Sequence, residues 1–262
     1  MLDSVLQKMD SISLEEMSTV KLMNRIDTKY LLNKKILDQL ANNWNSSFMV
    51  QEIDGNRVAN YKTLYFDTED VLTYRIHHDQ HLTRQKVRQR EYVDTGTVFC
   101  EIKNKKNNGR TKKKRIVIPR SEWGRLYDFP EMARFLEEKV WVTKQPMSPM
   151  LQNQFKRITL VNKTRTERIT IDSDIRFHNL RNDKEAEVPE FVIIEVKQDG
   201  NRESDFKLLL RDARVQQRGL SKYCLGLLLT DETIKYNRFK DKIRYVSKLI
   251  GRTLTIPSSM NQ

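Results

Sequence analysis

Five short stretches of this 262-residue chain set charged side chains at alternate positions: Lys86-Val87-Arg88-Gln89-Arg90, Glu101-Ile102-Lys103, Lys112-Lys113-Lys114, Arg168-Ile169-Thr170-Ile171-Asp172 and Glu195-Val196-Lys197. In an extended chain alternate side chains share a face. Lys86, Arg88 and Arg90 therefore point one way together, as do Glu101 with Lys103, Arg168 with Asp172, and Glu195 with Lys197. A solvated sheet face shows the same alternation. Here it recurs, and several opposite faces are strongly apolar (Ile169 and Ile171; Val192, Ile194 and Val196). Those faces pack under helices, so the charged ones line something enclosed. A lumen of Arg and Lys seeded with a few Glu and Asp suits a polyanion bridged by a divalent metal.

Holding such a surface requires a curled sheet, and the chain supplies strands for one. The spacing predicts strands around Asp27–Leu32 and Tyr61–Asp67. A meander follows over Leu82–Val93, Val98–Lys105 and Arg110–Ile118, turned at Thr95-Gly96 and Asn107-Asn108-Gly109, and then strands over Gln152–Asn162, Glu167–Asp172 and Glu190–Lys197. Asn179–Val188 reads as a polar loop. Helices are predicted at the N-terminus, where Ser13-Leu14-Glu15-Glu16 matches a capping box, near Lys34–Asn43, after Ser121 with Pro130 as a break, over Phe206–Val215, and over a basic stretch near Tyr236–Ile250. The expected fold class is α+β: an antiparallel β-barrel of about eight strands with supporting helices outside, forming one domain over 1–262.

Composition narrows the partners. Lys and Arg (48) exceed Asp and Glu (35), for a formal net charge of +13, which favours an anionic ligand. Hydrophobic residues at 38% with only eight Gly and six Pro exclude a disordered or fibrous chain. Two cysteines, Cys100 and Cys224, are too few for a disulfide framework, so a reduced cytoplasmic protein is expected. The longest apolar runs, such as Leu225–Leu229, are too short to span a bilayer, so no transmembrane segment is expected.

Further motifs join the charged strands: Asn24-Arg25-Ile26-Asp27-Thr28-Lys29-Tyr30, Phe155-Lys156-Arg157 and Leu220-Ser221-Lys222-Tyr223. With them the chain resembles the triphosphate tunnel metalloenzymes, the superfamily of CYTH-like phosphatases and RNA triphosphatases. Within it the chain is similar to the VTC (vacuolar transporter chaperone) polyphosphate polymerase domain, over about residues 20 to 230. The resemblance implies a β-tunnel that binds ATP or another triphosphate and holds polyphosphate or pyrophosphate, with Mn²⁺ or Mg²⁺ as cofactor. It makes Arg25, Lys29, Arg88, Arg90, Lys103, Lys114, Arg157, Arg168 and Lys222 the candidates for catalytic phosphate contacts. Lys112, Ser221 and Lys197 are substrate-binding candidates, and Glu195 is the first choice of metal ligand ahead of Glu101 and Asp172.

Three departures from the family pattern stand out. Phe155 replaces a usual Tyr, and Gly219 occupies a position where relatives often carry Lys. The SPX domain and transmembrane helices of the eukaryotic complexes are missing, so a lone catalytic domain, or one with a separate membrane partner, is expected. Three functions remain open: a polyphosphate polymerase, a metal-dependent triphosphate hydrolase, and a non-catalytic polyanion-binding module. Nucleic acid is disfavoured as a partner because the charged faces interleave Glu and Asp rather than the exposed aromatics of sequence-tolerant binders. Elsewhere the plain readings are preferred. His77, His78 and His81 read as solvated surface rather than a metal site, the basic C-terminal helix as a solvated face, and Trp44, Trp123 and Trp141 as packing.

Overall fold

The computed structural model describes residues 2–20, 22, 25–44, 46–108, 110–200 and 203–254; Asn24 and Gly109, read above in a motif and a turn, lie outside them. The first elements are α1 (Leu2–Lys8), β1 (Ser11–Ile12), α2 (Leu14–Thr19), β2 (Arg25–Asn33), α3 (Lys34–Ala41) and β3 (Phe48–Gln51). Next come β4 (Ala59–Asp67), α4 (Leu72–His78), β5 (Arg84–Tyr92), β6 (Thr97–Lys105), β7 (Thr111–Ile118) and α5 (Pro130–Lys139). The chain continues through β8 (Ser148–Asn162), β9 (Glu167–Asn179), β10 (Lys184–Val188), β11 (Phe191–Asp199), α6 (Asp205–Asp212), α7 (Lys222–Thr230) and α8 (Lys240–Ile250).

Eight strands form a curled antiparallel half-barrel in the order β2-β11-β9-β8-β4-β5-β6-β7, with β3 branching from β8, β1 from β3 and β10 from β9. The path ends at β2 and β7, and no ladder joins those two among the described residues, leaving a seam. On the β2 side the edge is partly covered: Tyr30 bridges to Gln217, and the Arg218 amide donates to the Lys29 carbonyl at 2.9 Å.

Strand alternation sorts the residues between the two faces. On the convex face Leu32, Ile169, Ile171, Val192, Ile194 and Val196 are buried with Leu37, Leu40, Phe206 and Leu210 of α3 and α6. Farther round, Val87, Val98, Cys100, Ile102 and Ile118 are buried with Met132 and Leu136 of α5. Part of the concave face is also apolar, where Leu151, Phe155, Phe177 and Ile193 meet α7 and α8. Gly226 allows this contact, since a Cβ there would lie 2.4 Å from Leu151 Cδ2 and 2.5 Å from Phe177 Cδ1. Elsewhere Met17 of α2 and Val20 cover Val161.

Several local expectations need correction. Lys184–Val188, read as part of a loop, is β10, paired antiparallel with an extended β9. Pro130 begins α5 instead of breaking a helix, since a first-turn proline needs no amide hydrogen bond. The Leu225–Leu229 run belongs to helix α7, buried almost all round. His78 is buried, its ring 5.5 Å from that of Phe239, and His77 lies against Lys86, so neither is solvated surface. Trp44 is packed as expected, whereas Trp141 is half-exposed. The capping box at Ser13 is present. No helix among the described residues is long and apolar enough to cross a membrane.

Candidate active site

Between its apolar regions the concave face carries three carboxylates, each shared by two cations. Glu101, fully buried, accepts from Arg88 Nε at 2.8 Å and Nη2 at 2.6 Å, and from Lys113 Nζ at 2.8 Å. Asp172 accepts from Arg157 Nε at 2.6 Å and Nη2 at 2.8 Å, and from Lys222 Nζ. Glu195 lies 3.6 Å from Lys29 and 3.2 Å from Lys197. Burial opposes ionisation of all three carboxyls, but the adjoining cations prevail and hold each well below the usual carboxylate range.

Among the described residues, Arg90, Lys103 and Lys86 have no carboxylate within ion-pairing distance. Arg90 Nε donates to Thr63 Oγ1 at 3.1 Å, and its guanidinium stands 5.5 Å and 5.7 Å from the ring centres of Tyr61 and Phe155. Burial, with Arg88 and Arg157 nearby, pushes Arg90 down to about 10. Lys103 is pushed down to about 7 by burial and by Lys29. Lys86 donates to Ser221 Oγ at 2.7 Å and lies 3.0 Å from His77 Nδ1; burial pushes it down to about 8. His77 is held neutral by burial and by Lys86. These desolvated cations are the places where a polyanion adds most charge compensation.

Lys112 and Lys114 face away from this surface. In the β6–β7 ladder Lys113 stands opposite Lys103, whereas Lys114 stands opposite Ile102 and Lys112 opposite Asn104. Ile102 is buried with α5, so Lys114 belongs to the convex side and Lys113 faces inward. Ile116 and Ile118 share the parity of 112 and 114, a signal the sequence already contained. Arg25 sits at the start of β2 with Asp27 at 2.7 Å, and Arg168 donates from Nη2 to the Met17 carbonyl at 2.8 Å. In the ladders Arg168 stands opposite Lys197, two residues along from Glu195, and Arg25 opposite Asp199, four residues along. Ser221 caps α7, and Lys222 begins that helix with its ammonium 3.6 Å from the Phe155 ring centre.

Of the three carboxylates, Glu195 best fits a hard divalent ion. The oxygens of Glu101 and Asp172 are occupied by close donors, whereas the Glu195 contacts are longer. Its cross-strand neighbour Thr170 has a buried hydroxyl without a hydrogen-bond partner. No group of three or more acidic, His or Cys side chains gathers for a metal among the described residues. Magnesium-type ions need only one or two carboxylates when phosphate oxygens complete the shell.

The lysine environments set a pH dependence. Unfolded, a lysine keeps its proton to about 10.4, whereas folded Lys103 and Lys86 release theirs at about 7 and about 8. Between these limits the unfolded chain binds more protons, so the ligand-free protein gains stability from about pH 7 toward about pH 10. Tripolyphosphate affinity falls over the same rise, because binding needs the charged forms. Denaturant midpoints at about pH 7 and about pH 9, at fixed ionic strength and with and without tripolyphosphate, check both trends. A ligand-free midpoint that drops with pH contradicts the burial of these ammonium groups.

The curated proteins contain no significant match. Among solved structures, a protein from Vibrio parahaemolyticus named as a candidate adenylate cyclase is 12% identical, with 78% of this chain and 99% of that one covered and a TM-score of 0.45. A Hippeastrum protein with a dominant triphosphatase activity is 12% identical, covering 77% of this chain and 94% of its own, with a TM-score of 0.45. An S. pombe RNA triphosphatase is 10% identical over 93% of this chain and 89% of its own, with a TM-score of 0.30. The VTC domain profile matches residues 24–230, a span containing the three carboxylates and the cations that share them. By that match over most of its length, the chain belongs to the VTC domain family.

Proposed function

We propose that this protein is a polyphosphate polymerase that transfers the γ-phosphate of ATP to the end of an inorganic polyphosphate chain. The observation that carries this reading is the state of the carboxylates. Glu101, Asp172 and Glu195 are all held ionised by cations, which makes them weak proton acceptors. Attack by water gains from a general base, whereas a terminal phosphate oxygen is already anionic and needs none.

Arg88, Arg90, Arg157, Lys103 and Lys222 hold the triphosphate, with Lys113 in the part first expected of Lys112 and Lys114. Arg25 and Arg168 meet phosphates farther along the face, and Lys29 and Lys197 flank Glu195. Ser221 keeps the first turn of α7 in place. The chain's terminal oxygen forms a bond to the γ-phosphorus while the bond from that phosphorus to the β–γ bridging oxygen breaks, and ADP leaves. Mn²⁺ or Mg²⁺ held by Glu195 would neutralise phosphate charge there. Glu101 and Asp172, expected above as weaker metal ligands, instead fix the directions of Arg88 and Arg157.

The test incubates the protein with ATP and Mn²⁺, with and without pyrophosphate as primer, and resolves the products by gel and by free-phosphate release. A ladder of phosphate chains with matching ADP supports the polymerase. Free phosphate without a ladder overturns it in favour of a triphosphatase. Polyanion binding without turnover overturns it in favour of a binding module.

A further inference from the structure

The buried carboxylate of Asp67, at the end of β4, carries no ion pair to Lys or Arg among the described residues. Five neutral donors satisfy it instead. The amides of Thr68 at 2.9 Å, Thr73 at 2.9 Å and Tyr74 at 3.0 Å donate to it, as do Thr73 Oγ1 at 2.7 Å and Tyr223 OH at 2.5 Å. Four of these contacts are local and fix the start of α4, where Val71 offers no side-chain cap. The fifth comes from α7, 156 residues away in sequence.

Tyr223 immediately follows Lys222. On a helix, consecutive residues point about 100° apart, so the turn that delivers Tyr223 to Asp67 also aims Lys222 at Asp172. The Tyr223 phenol is fully buried, and burial beside the Asp67 carboxylate raises its pKa well above the ordinary value, so it remains a donor. Its ring packs 5.1 Å from that of Tyr65, and Gly226 one turn on seats α7 against Leu151 and Phe177. To this apolar packing the hydroxyl adds a directional contact at the first turn, and hydrogen bonds to a carboxylate are among the stronger single ones.

We infer that Asp67 is a positioning residue: through Tyr223 it sets the rotation of the first turn of α7 and thereby holds the Lys222 ammonium against Asp172 and over the Phe155 ring. The value of that placement to the reaction rests on the polymerase reading; the placement itself does not.

The test is competitive acetylation of the lysines, read residue by residue by mass spectrometry, on wild type, Tyr223→Phe and Tyr74→Phe. The Lys222 side chain is only 10% exposed, so it reacts slowly in the wild type. Tyr223→Phe removes the tether and leaves Asp67 its other four donors. Lys222 then labels about tenfold faster, because losing a hydrogen bond to a charged acceptor favours local opening by that order. Tyr74→Phe is the matched control: it deletes a buried hydroxyl of the same kind, which donates to the Lys235 carbonyl at 2.7 Å, and it leaves α7 alone. Its Lys222 labels at the wild-type rate.

A Lys222 rate in Tyr223→Phe within about twofold of wild type overturns the inference, as does an equal rise in both variants, which would report general loosening. Calorimetric titration with tripolyphosphate gives a separate reading, with a Kd about tenfold weaker in Tyr223→Phe and unchanged in Tyr74→Phe. Failure of the wild type to bind tripolyphosphate would sink the functional proposal while the labelling still decides the positioning role.

Discussion

Glu101→Ala destabilises the ligand-free protein by about 3–5 kcal/mol. The wild-type carboxylate is fully buried and is shared by Arg88 and Lys113, with Arg90 close enough to feel its charge. Truncation strips the partner from Arg88, whose side chain is only 15% exposed, while the Lys113 ammonium, 41% exposed, turns to solvent. The larger cost is therefore the uncompensated guanidinium, ahead of the lost hydrogen bonds. A polyanion can replace the missing charge. Tripolyphosphate at about a hundred times its Kd stabilises a binding protein by about 2.7 kcal/mol, and the gain is larger in Glu101→Ala than in wild type at the same ligand concentration. Urea denaturation with and without tripolyphosphate measures both quantities. A variant within about 1 kcal/mol of wild type would show that this buried group does not sustain the cationic surface.

Glu195→Gln has the opposite profile: the fold survives and turnover is lost. The amide occupies the same volume and still accepts from Lys29 or Lys197, so the change is mainly of charge. Turnover with Mn²⁺ falls by on the order of 10²–10³, the range found when a preorganised electrostatic contact in an active site is removed. Metal-free tripolyphosphate binding tightens, because the repelling carboxylate is gone. Paired titrations and rate measurements decide the point. Full turnover in Glu195→Gln would make the metal assignment wrong, whereas binding lost together with turnover would show that Glu195 orders the site instead of serving a metal.

The charged surface was legible because strand alternation is local: once Arg88, Glu101, Arg157 and Glu195 are on strands, their common direction follows. Lys113 was hidden by the run of three lysines, in which no neighbour within the run differs in polarity; only the phase of Ile116 and Ile118 downstream resolves it. Helix α7 lacked an amphipathic period because it is enclosed on nearly every side, and such helices carry no polar stripe. Strand β10 escaped detection for the opposite reason, being largely exposed on both faces. One cation of each pair (Arg88, Arg157 and Lys29) reaches its carboxylate by cross-strand register, which motifs do not encode, and Lys222 reaches Asp172 only through the packing of α7 on the sheet. Asp67 was the least visible, since its partner Tyr223 meets it only when α4 and α7 come together.

The seam between β2 and β7 has a mechanical consequence. A closed barrel has its girth fixed by hydrogen-bond spacing around the whole ring. Across the seam no such ladder sets the distance among the described residues. Cations stand on either side of it, Lys29 on β2 against Lys113 on β7 and Lys103 on β6, and Lys29 and Lys103 repel. The gape there is set by a balance of repulsion and screening, so ionic strength and bound anions act on the width of the cleft as well as on its charge.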